Sequence, residues 1–222
     1  MRILIGCEAS GIVRRAFAAR GHDVWSVDLL PAEDRSNRHI VGDVRDYLDD
    51  GWDLLIAHPP CTRLCRSGRR WLSGPGNMTP PKQLPRGRTW QSMIDEFRAG
   101  VDLFIACWRA PIGRVGIENP VMHDIARGLM PDDLPPPDRV QPFWFGEPQY
   151  KETGWYLRGL PPLMETNRLA EPPRGTDEWK TWNRVWRMPP GPDRGQSRSL
   201  FFPAMAEAMA DQWGNQSVEA AA

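Results

Sequence analysis

The sequence has few cysteines, no net charge and no long apolar run. Four of the 222 residues are cysteine, which is too few for the dense disulfide pattern of a small disulfide-stapled scaffold. Lys plus Arg equals Asp plus Glu, 28 each, so the chain as a whole lacks the positive excess of a nucleic-acid-binding polyelectrolyte. No stretch reaches the length of a membrane span or the pattern of a cleavable signal. We expect a cytoplasmic protein with free thiols and no membrane partner.

Two phosphate-binding fingerprints are also missing. The first turn reads "GCEASG" (Gly6 to Gly11), which is neither G-x-G-x-x-G nor a P-loop ending in Lys-Ser or Lys-Thr. This turn therefore does not favour NAD or ATP. A strand-to-helix turn that binds no ligand could have the same sequence, so "GCEASG" alone is a weak signal.

The sequence does contain short apolar runs that alternate with helical patterns. Runs typical of strands lie at 2–6, 23–30, 38–42, 52–60, 112–120 and 152–163. Apolar periodicity predicts helices over 10–21, over 91–110 and from about Pro203 onward. This alternation predicts an α/β, Rossmann-like fold with a mostly parallel sheet and helices on both faces.

The length of the chain suits one hydrophobic core, so we expect a single catalytic domain over 1–222. Residues 160–196 are rich in Pro, Arg and Trp and are predicted to be irregular. Residues 214–222 form a tail of small residues that we expect to fray. We see no internal repeat.

Candidate ligand-binding residues follow the strands at their carboxyl ends, which is where open α/β sheets bind small molecules. The second predicted strand ends in Asp28 and the third in Asp43, while Cys61 follows the fourth and Glu118-Asn119-Pro120 the fifth. Carboxylates accept hydrogen bonds from ribose hydroxyls and an exocyclic amine, and they repel polyphosphate. The set therefore favours S-adenosylmethionine, although each aspartate alone is more often a turn or cap residue.

Two of these motifs together resemble a known enzyme family. Pro59-Pro60-Cys61 and Glu118-Asn119-Pro120, at the ends of neighbouring strands, resemble the two catalytic motifs of DNA cytosine-5 methyltransferases. "SGIVRRAFAARGH" is similar to the family's Gly-Gly-Leu and following helix, and the helix after "SRSLFFP" is similar to its last motif. The resemblance implies a class I SAM-dependent methyltransferase fold, S-adenosyl-L-methionine as cofactor, and duplex or single-stranded DNA as substrate.

The resemblance also implies a role for individual residues. Cys61 would add to C6 of cytosine, because C5 is too weak a nucleophile to take a methyl group unaided. Glu118 would be a protonated acid at N3, and Asn119 and Pro60 would hold the loops. The predicted cofactor-binding residues are Gly6, Glu8, Ser10, Gly11, Asp28, Asp43 and Pro59.

The chain departs from the family in three places. The aromatic residue that usually accompanies the cofactor is missing from the first turn. The length leaves no room for a large target-recognition domain, of which residues 160–196 could be a vestige with Arg and Trp side chains able to touch DNA. The Gln-x-Arg-x-Arg motif is also absent, and Lys151 is predicted to assume part of its role. Residues 63–90 form an acid-free basic loop at the predicted active site, and we expect it to contact phosphate. Its predicted substrate-binding residues are Arg63, Arg66, Arg69 and Arg70.

Other interpretations stay open at this point. The same residues could modify a free pyrimidine nucleotide, or the fold could serve a non-catalytic nucleic-acid-binding accessory protein. A metal site built on His58, Cys61 and Cys65 is disfavoured, because only distant residues remain as further ligands. Cys65 is then a loop thiol, and Cys7 and Cys107 are predicted to pack in the core. No obligate protein partner is inferred.

Overall fold

A computed structural model describes residues 1–69, 72, 84, 87–188 and 201–215. Seven strands form one sheet in the order β3-β2-β1-β4-β5-β7-β6. Strand β7 runs antiparallel to its neighbours β5 and β6, and the other adjacent pairs are parallel. The strands are β1 Arg2–Gly6, β2 Asp23–Asp28, β3 His39–Val41, β4 Leu54–Ala57, β5 Arg114–Glu118, β6 Asp138–Val140 and β7 Thr153–Arg158.

The helices connect these strands and close the chain. They are α1 Ile12–Ala18, α2 Arg66–Arg69, α3 Trp90–Arg109, α4 Asp124–Arg127, α5 Asp177–Trp182, α6 Arg184–Arg187 and α7 Pro203–Gly214, with 3-10 turns at Val44–Tyr47 and Pro142–Trp144. The longest, α3, begins at a reciprocal cap, since Thr89 and Ser92 each accept the other's backbone N–H. Within the described residues, no helix is long and apolar enough to cross a membrane.

Helices cover the sheet on both faces, as the sequence predicts. Strand β4 is buried throughout, so its side chains point alternately into two cores. Leu55 packs with the apolar face of α3 in one core, and Leu54 packs with α1 and α7 in the other. Burying a Leu side chain stabilises a fold by roughly 1.5–3 kcal/mol, so the two faces together fix the sheet.

The topology confirms the predicted Rossmann-like fold of class I SAM-dependent methyltransferases. Strand order reverses between β1 and β4, which places a topological switch point, the usual ligand crevice, at their carboxyl ends. One strand was missed: the sequence analysis predicted no strand at Asp138–Val140, which is too short and polar to give a period-two signal.

The segment predicted to be irregular is partly helical. Within residues 160–196, helices α5 and α6 form, and Trp182 at the end of α5 is buried against the rings of Phe143 and Tyr150. A tertiary contact therefore orders a stretch whose local pattern is weak. The prediction of irregular structure is wrong for 177–187, and residues 189–196 lie outside the described residues, as does most of the predicted frayed tail.

Candidate active site

The crevice at the switch point begins with the turn after β1. The backbone N–H of His58 donates to the carbonyl of Gly6 at 2.9 Å, which ties the end of β4 to the end of β1. A Cβ on Gly6 would come within 2.8 Å of Val44 Cγ2, so a larger residue would push the loop after β3 away. Gly11 precedes α1 with a φ of 67°, a left-handed conformation that glycine adopts without strain.

Two predicted cofactor-binding residues hold the start of α1 instead of facing open space. The buried carboxylate of Glu8 accepts the backbone N–H groups of Val13 at 2.6 Å and Arg14 at 3.2 Å. Ser10 donates its hydroxyl to Glu8 and accepts the N–H of Ile12, each at 3.3 Å. Burial raises the pKa of Glu8, and the backbone hydrogen bonds oppose that rise. The sequence analysis did not predict this capping role.

A cavity of about 490 Å³ opens beside this turn. Its wall includes Asp28 and Asp43 from the ends of β2 and β3, Cys7 after β1, and Pro60 after β4. Asp28 accepts the N–H of Leu30 at 2.9 Å, and Asp43 forms an ion pair with Arg45 that lowers the pKa of its carboxyl. Cys7 therefore lines the cavity rather than lying fully in the core, whereas Cys107 is buried in the core as predicted.

The lining of this cavity fits an adenosine-containing cofactor. The volume falls in the range of small-molecule sites, about 300–1,000 Å³. Val27 and Leu103 supply apolar wall, and Asp28 and Asp43 supply the acceptors that hydroxyl and amine donors need. Of the other predicted cofactor residues, Gly6 and Gly11 shape the turn, as described above. Pro59 is buried at the end of β4, between His58 and the lining residue Pro60.

Cys61 and Glu118 share one environment next to the cavity. Strands β4 and β5 are adjacent and parallel, with Ala57 opposite Ile117, so both residues follow the same sheet edge. The interaction with Cys65 and burial raise the pKa of Cys61, and the neighbouring carboxyl of Glu118 raises it further. Burial raises the pKa of Glu118 itself, while the nearby ammonium of Lys151 opposes the rise. Lys151 also favours the thiolate of Cys61.

Cys65 belongs to the same cluster, although the sequence analysis treats it as a loop thiol. Its backbone N–H donates to the Cys61 carbonyl at 3.0 Å, so the two residues lie one helical turn apart. Its sulfur also lies 3.1 Å from the Ser67 hydroxyl. The interaction between the two thiols lowers the pKa of Cys65 and raises that of Cys61. The i, i+4 spacing is the sequence signal for this pair.

Several buried polar atoms beside these residues have no hydrogen-bond partner among the residues that the structure describes. Asn119 is fully buried, and within this part of the chain its Oδ1 and Nδ2, Nε2 of His58 and Nε1 of Trp155 are all unpaired. The His58 ring lies edge-on to the rings of Trp155 and Phe201, and burial lowers its pKa to about 3. Buried polar groups are normally paired, so this group indicates space for a polar ligand. Across the described part of the chain, no group of three or more His, Cys, Asp or Glu could hold a metal ion.

His123 joins the Cys61 loop to the segment after β5. Its Nδ1 accepts the N–H of Ala126 at 3.0 Å, so Nε2 carries the proton and donates to the Arg63 carbonyl at 2.8 Å. Its own N–H donates to the Leu64 carbonyl at 3.0 Å. His123 is buried, and it fixes the spacing between the cysteine loop and the loop after Glu118. No local sequence pattern predicts this role of His123.

The predicted phosphate-binding arginines lie in different places. Arg63 is buried in the cavity wall, where its Nε contacts the carboxylate of Glu96 at 2.9 Å, rather than on a loop surface as expected. Arg69 pairs with Asp124 at 2.8 Å on the surface, and Arg66 is exposed. Arg70 lies outside the described residues.

Comparisons with known proteins find likeness only among solved structures. No protein-family model matches the chain, and no curated protein matches it. The chain is similar to a candidate DNA modification methyltransferase encoded within a prophage of E. coli, at 16% identity and a TM-score of 0.44, over 71% of this chain and 46% of that one. It is also similar to a mutant of Spodoptera frugiperda DNMT2, at 14% identity and a TM-score of 0.38, over 78% of this chain and 55% of that one. The chain therefore spans about half the length of each.

Proposed function

We propose that the protein is a SAM-dependent methyltransferase that modifies C5 of cytosine in DNA through a covalent bond between Cys61 and C6. One observation carries the proposal. A thiol and a half-buried carboxyl, Cys61 and Glu118, interact at the ends of adjacent parallel strands beside a cavity lined by Asp28 and Asp43. An activated thiolate with a neutral acid is what attack on a pyrimidine ring requires.

Each residue of the cluster has a chemical task in this proposal. The Cys61 thiolate adds to C6, and the ring electrons shift toward C5 and N3. Glu118, whose pKa burial raises, keeps its proton and donates it toward N3, which neutralises the developing charge. Loss of the C5 proton then restores the double bond and expels the Cys61 thiolate. S-adenosyl-L-methionine, when bound, supplies the electrophilic methyl group.

The surroundings of the cluster suit a flipped base. A duplex cytosine must leave the stack before a protein thiol can reach C6. The unpaired polar atoms of Asn119 and His58 could pair with the polar edge of such a base, and aromatic rings beside His58 could pack against it. The exposed Arg66 could contact the flanking phosphates.

The test combines methyl transfer with trapping of the adduct. The protein is incubated with labelled S-adenosylmethionine and either duplex DNA, single-stranded DNA or dCMP, and the products are digested to nucleosides and identified by mass. We expect 5-methylcytosine from DNA, and we expect Cys61→Ala to abolish both transfer and the covalent complex with DNA carrying 5-fluorocytosine, which has no C5 proton to lose. Methylation by a folded Cys61→Ala variant would exclude the mechanism, and transfer to dCMP alone would exclude DNA as substrate.

A further inference from the structure

The cavity at the candidate active site carries charged groups of opposite sign on its two sides. Asp28 and Asp43 lie where β2 and β3 end, whereas Arg63 follows β4, on the other side of β1 in the sheet. We propose that Arg63, assisted by Arg88, binds the carboxylate in the methionine part of S-adenosylmethionine. This inference rests on the proposed function, since it takes this cavity as the cofactor site.

The basic side of the cavity has one more positive charge than negative charge. Nε of Arg63 contacts one carboxylate oxygen of Glu96 at 2.9 Å, and Arg88 forms an ion pair with the other oxygen. Glu96 is on the second turn of α3, and Arg88 lies just before that helix, so both are positioned by a regular element. Two guanidinium groups therefore share one carboxylate, which leaves this side able to bind an anion.

Arg63 has hydrogen-bond donors to spare for such an anion. Its side chain is only 10% exposed, and it lines the cavity. Within the described part of the chain, only its Nε is hydrogen-bonded to another side chain, so Nη1 and Nη2 remain for a ligand. A guanidinium can donate two parallel hydrogen bonds to the two oxygens of a carboxylate. The same contact is stronger in a partly dry cavity than on a wet surface.

The acidic side of the cavity selects the other end of the ligand. Arg45 neutralises Asp43, and among the described residues no cation pairs with Asp28. A ligand that suits both sides therefore presents hydroxyl or amine donors to Asp28 and an anion to Arg63. S-adenosylmethionine has both groups, because its ribose hydroxyls are donors and its amino-acid end carries a carboxylate. A DNA phosphate fits Arg63 less well, because the backbone of DNA contacts cations on the protein surface.

The position of Arg63 gives this contact a consequence for the nucleophile. Arg63 lies two residues after Cys61, and its carbonyl accepts a hydrogen bond from Nε2 of His123 at 2.8 Å. His123 belongs to the segment that follows Glu118. The bound carboxylate would therefore hold the loop that carries Cys61, and the cofactor and the nucleophile would be positioned together.

The experiment compares two ligands that differ only in the carboxylate. Dissociation constants for S-adenosylhomocysteine and for its decarboxylated analogue are measured by calorimetry with the wild type and with Arg63→Met. We expect the wild type to bind S-adenosylhomocysteine more tightly by about 10–100-fold, the usual effect of a hydrogen bond to a charged group. Arg63→Met should lose this preference and keep the affinity for the analogue, which also shows that the variant is folded.

Arg45→Met is the matched control, because Arg45 lines the same cavity on its acidic side. It should change the affinity for both ligands alike and preserve their ratio. Arg88→Met should reduce the ratio in part, and it decides the question if Arg63→Met does not fold, since Arg88 is exposed.

Three results would count against the inference. Equal affinity of the wild type for the two ligands would overturn it, as would an unchanged ratio in a folded Arg63→Met variant. Weaker DNA binding by Arg63→Met with the ratio unchanged would assign Arg63 to phosphate instead. Failure of the wild type to bind either ligand would overturn the proposed function, and this inference with it.

Discussion

At the scale of single residues, burial decides which groups can carry charge. Glu118 and His58 both lie in the candidate active site, and burial disfavours the ionised form of each. Burial therefore raises the pKa of Glu118 and lowers the pKa of His58. Lys151 acts on both groups, because its positive charge favours the Glu118 carboxylate and disfavours a cationic His58. Lys151 is therefore a cationic neighbour of both groups.

Glu118→Gln should lower methyl transfer by at least about 10²-fold, because an amide cannot donate an acidic proton toward N3. S-adenosylmethionine affinity should change little, since Glu118 is not among the cavity-lining residues. Glu165→Gln is the matched control, because Glu165 is an exposed partner of Arg168. Steady-state transfer to DNA and cofactor titration separate the two effects, and full activity of Glu118→Gln would remove its proposed role.

His58 should make the protein less stable as the pH falls from about 6.5 to about 3. In that window the unfolded chain binds a proton that the folded protein excludes, so the free energy of unfolding decreases by up to about 1.4 kcal/mol per pH unit. His58→Phe should remove this part of the slope while keeping contact with Phe201. Urea unfolding at several pH values measures the slope, and an identical slope in both proteins would contradict the assignment.

At the scale of elements, the ends of helices and strands are fixed by contacts distant in sequence or by local caps. Helix α1 begins where the Glu8 carboxylate accepts two backbone N–H groups. The cysteine loop is fixed by His123, which lies about sixty residues away in the chain. Local caps can be read as sequence patterns, whereas the His123 contact depends on β4 and β5 being neighbours.

Glu8→Ala should destabilise the protein by about 1–3 kcal/mol, because it leaves buried N–H groups at Val13 and Arg14 without a partner. Glu33→Ala is a suitable control: Glu33 is exposed, and surface changes usually stay within about 0.5 kcal/mol. Denaturant midpoints compare the variants. Equal midpoints for Glu8→Ala and the wild type would show that the cap contributes nothing.

At the scale of the whole molecule, the balance of charge hides a local asymmetry. The chain has no net charge, yet the segment after Cys61 carries arginines without acids. Part of that positive charge is neutralised internally, because Arg63 pairs with Glu96 and Arg69 with Asp124. The exposed Arg66 is therefore the described member of the predicted set with most access to a phosphate.

Arg66→Ala should weaken DNA binding and reduce the slope of log affinity against log salt by about 1, as expected for the loss of one phosphate contact. Arg38→Ala provides the control, since Arg38 is exposed and pairs with Asp23 at the opposite edge of the sheet. Binding titrations at several salt concentrations measure the slopes. Equal slopes for Arg66→Ala and the wild type would place the DNA elsewhere.

Elements with a regular apolar period are the ones that the sequence predicts. The strands β1, β2, β4 and β5 and the helix α3 follow from apolar patterns, because burial of a face imposes a regular period. The short strand β6 and the helix α5 carry no such period; β6 pairs with β7, and Trp182 of α5 packs against the ring of Phe143. Local sequence cannot report such contacts.

The sequence by itself determined the parallel α/β order and the positions of Cys61 and Glu118 at successive strand ends. This was possible because the apolar periods of strands and helices depend on residues that are close together in the sequence. Only the tertiary structure decided that Arg63 is buried against Glu96, that His123 anchors the cysteine loop, and that Trp182 packs on Phe143. These roles depend on which side chains meet when distant segments pack. Pairing, burial and charge between such groups exist only once the sheet is assembled.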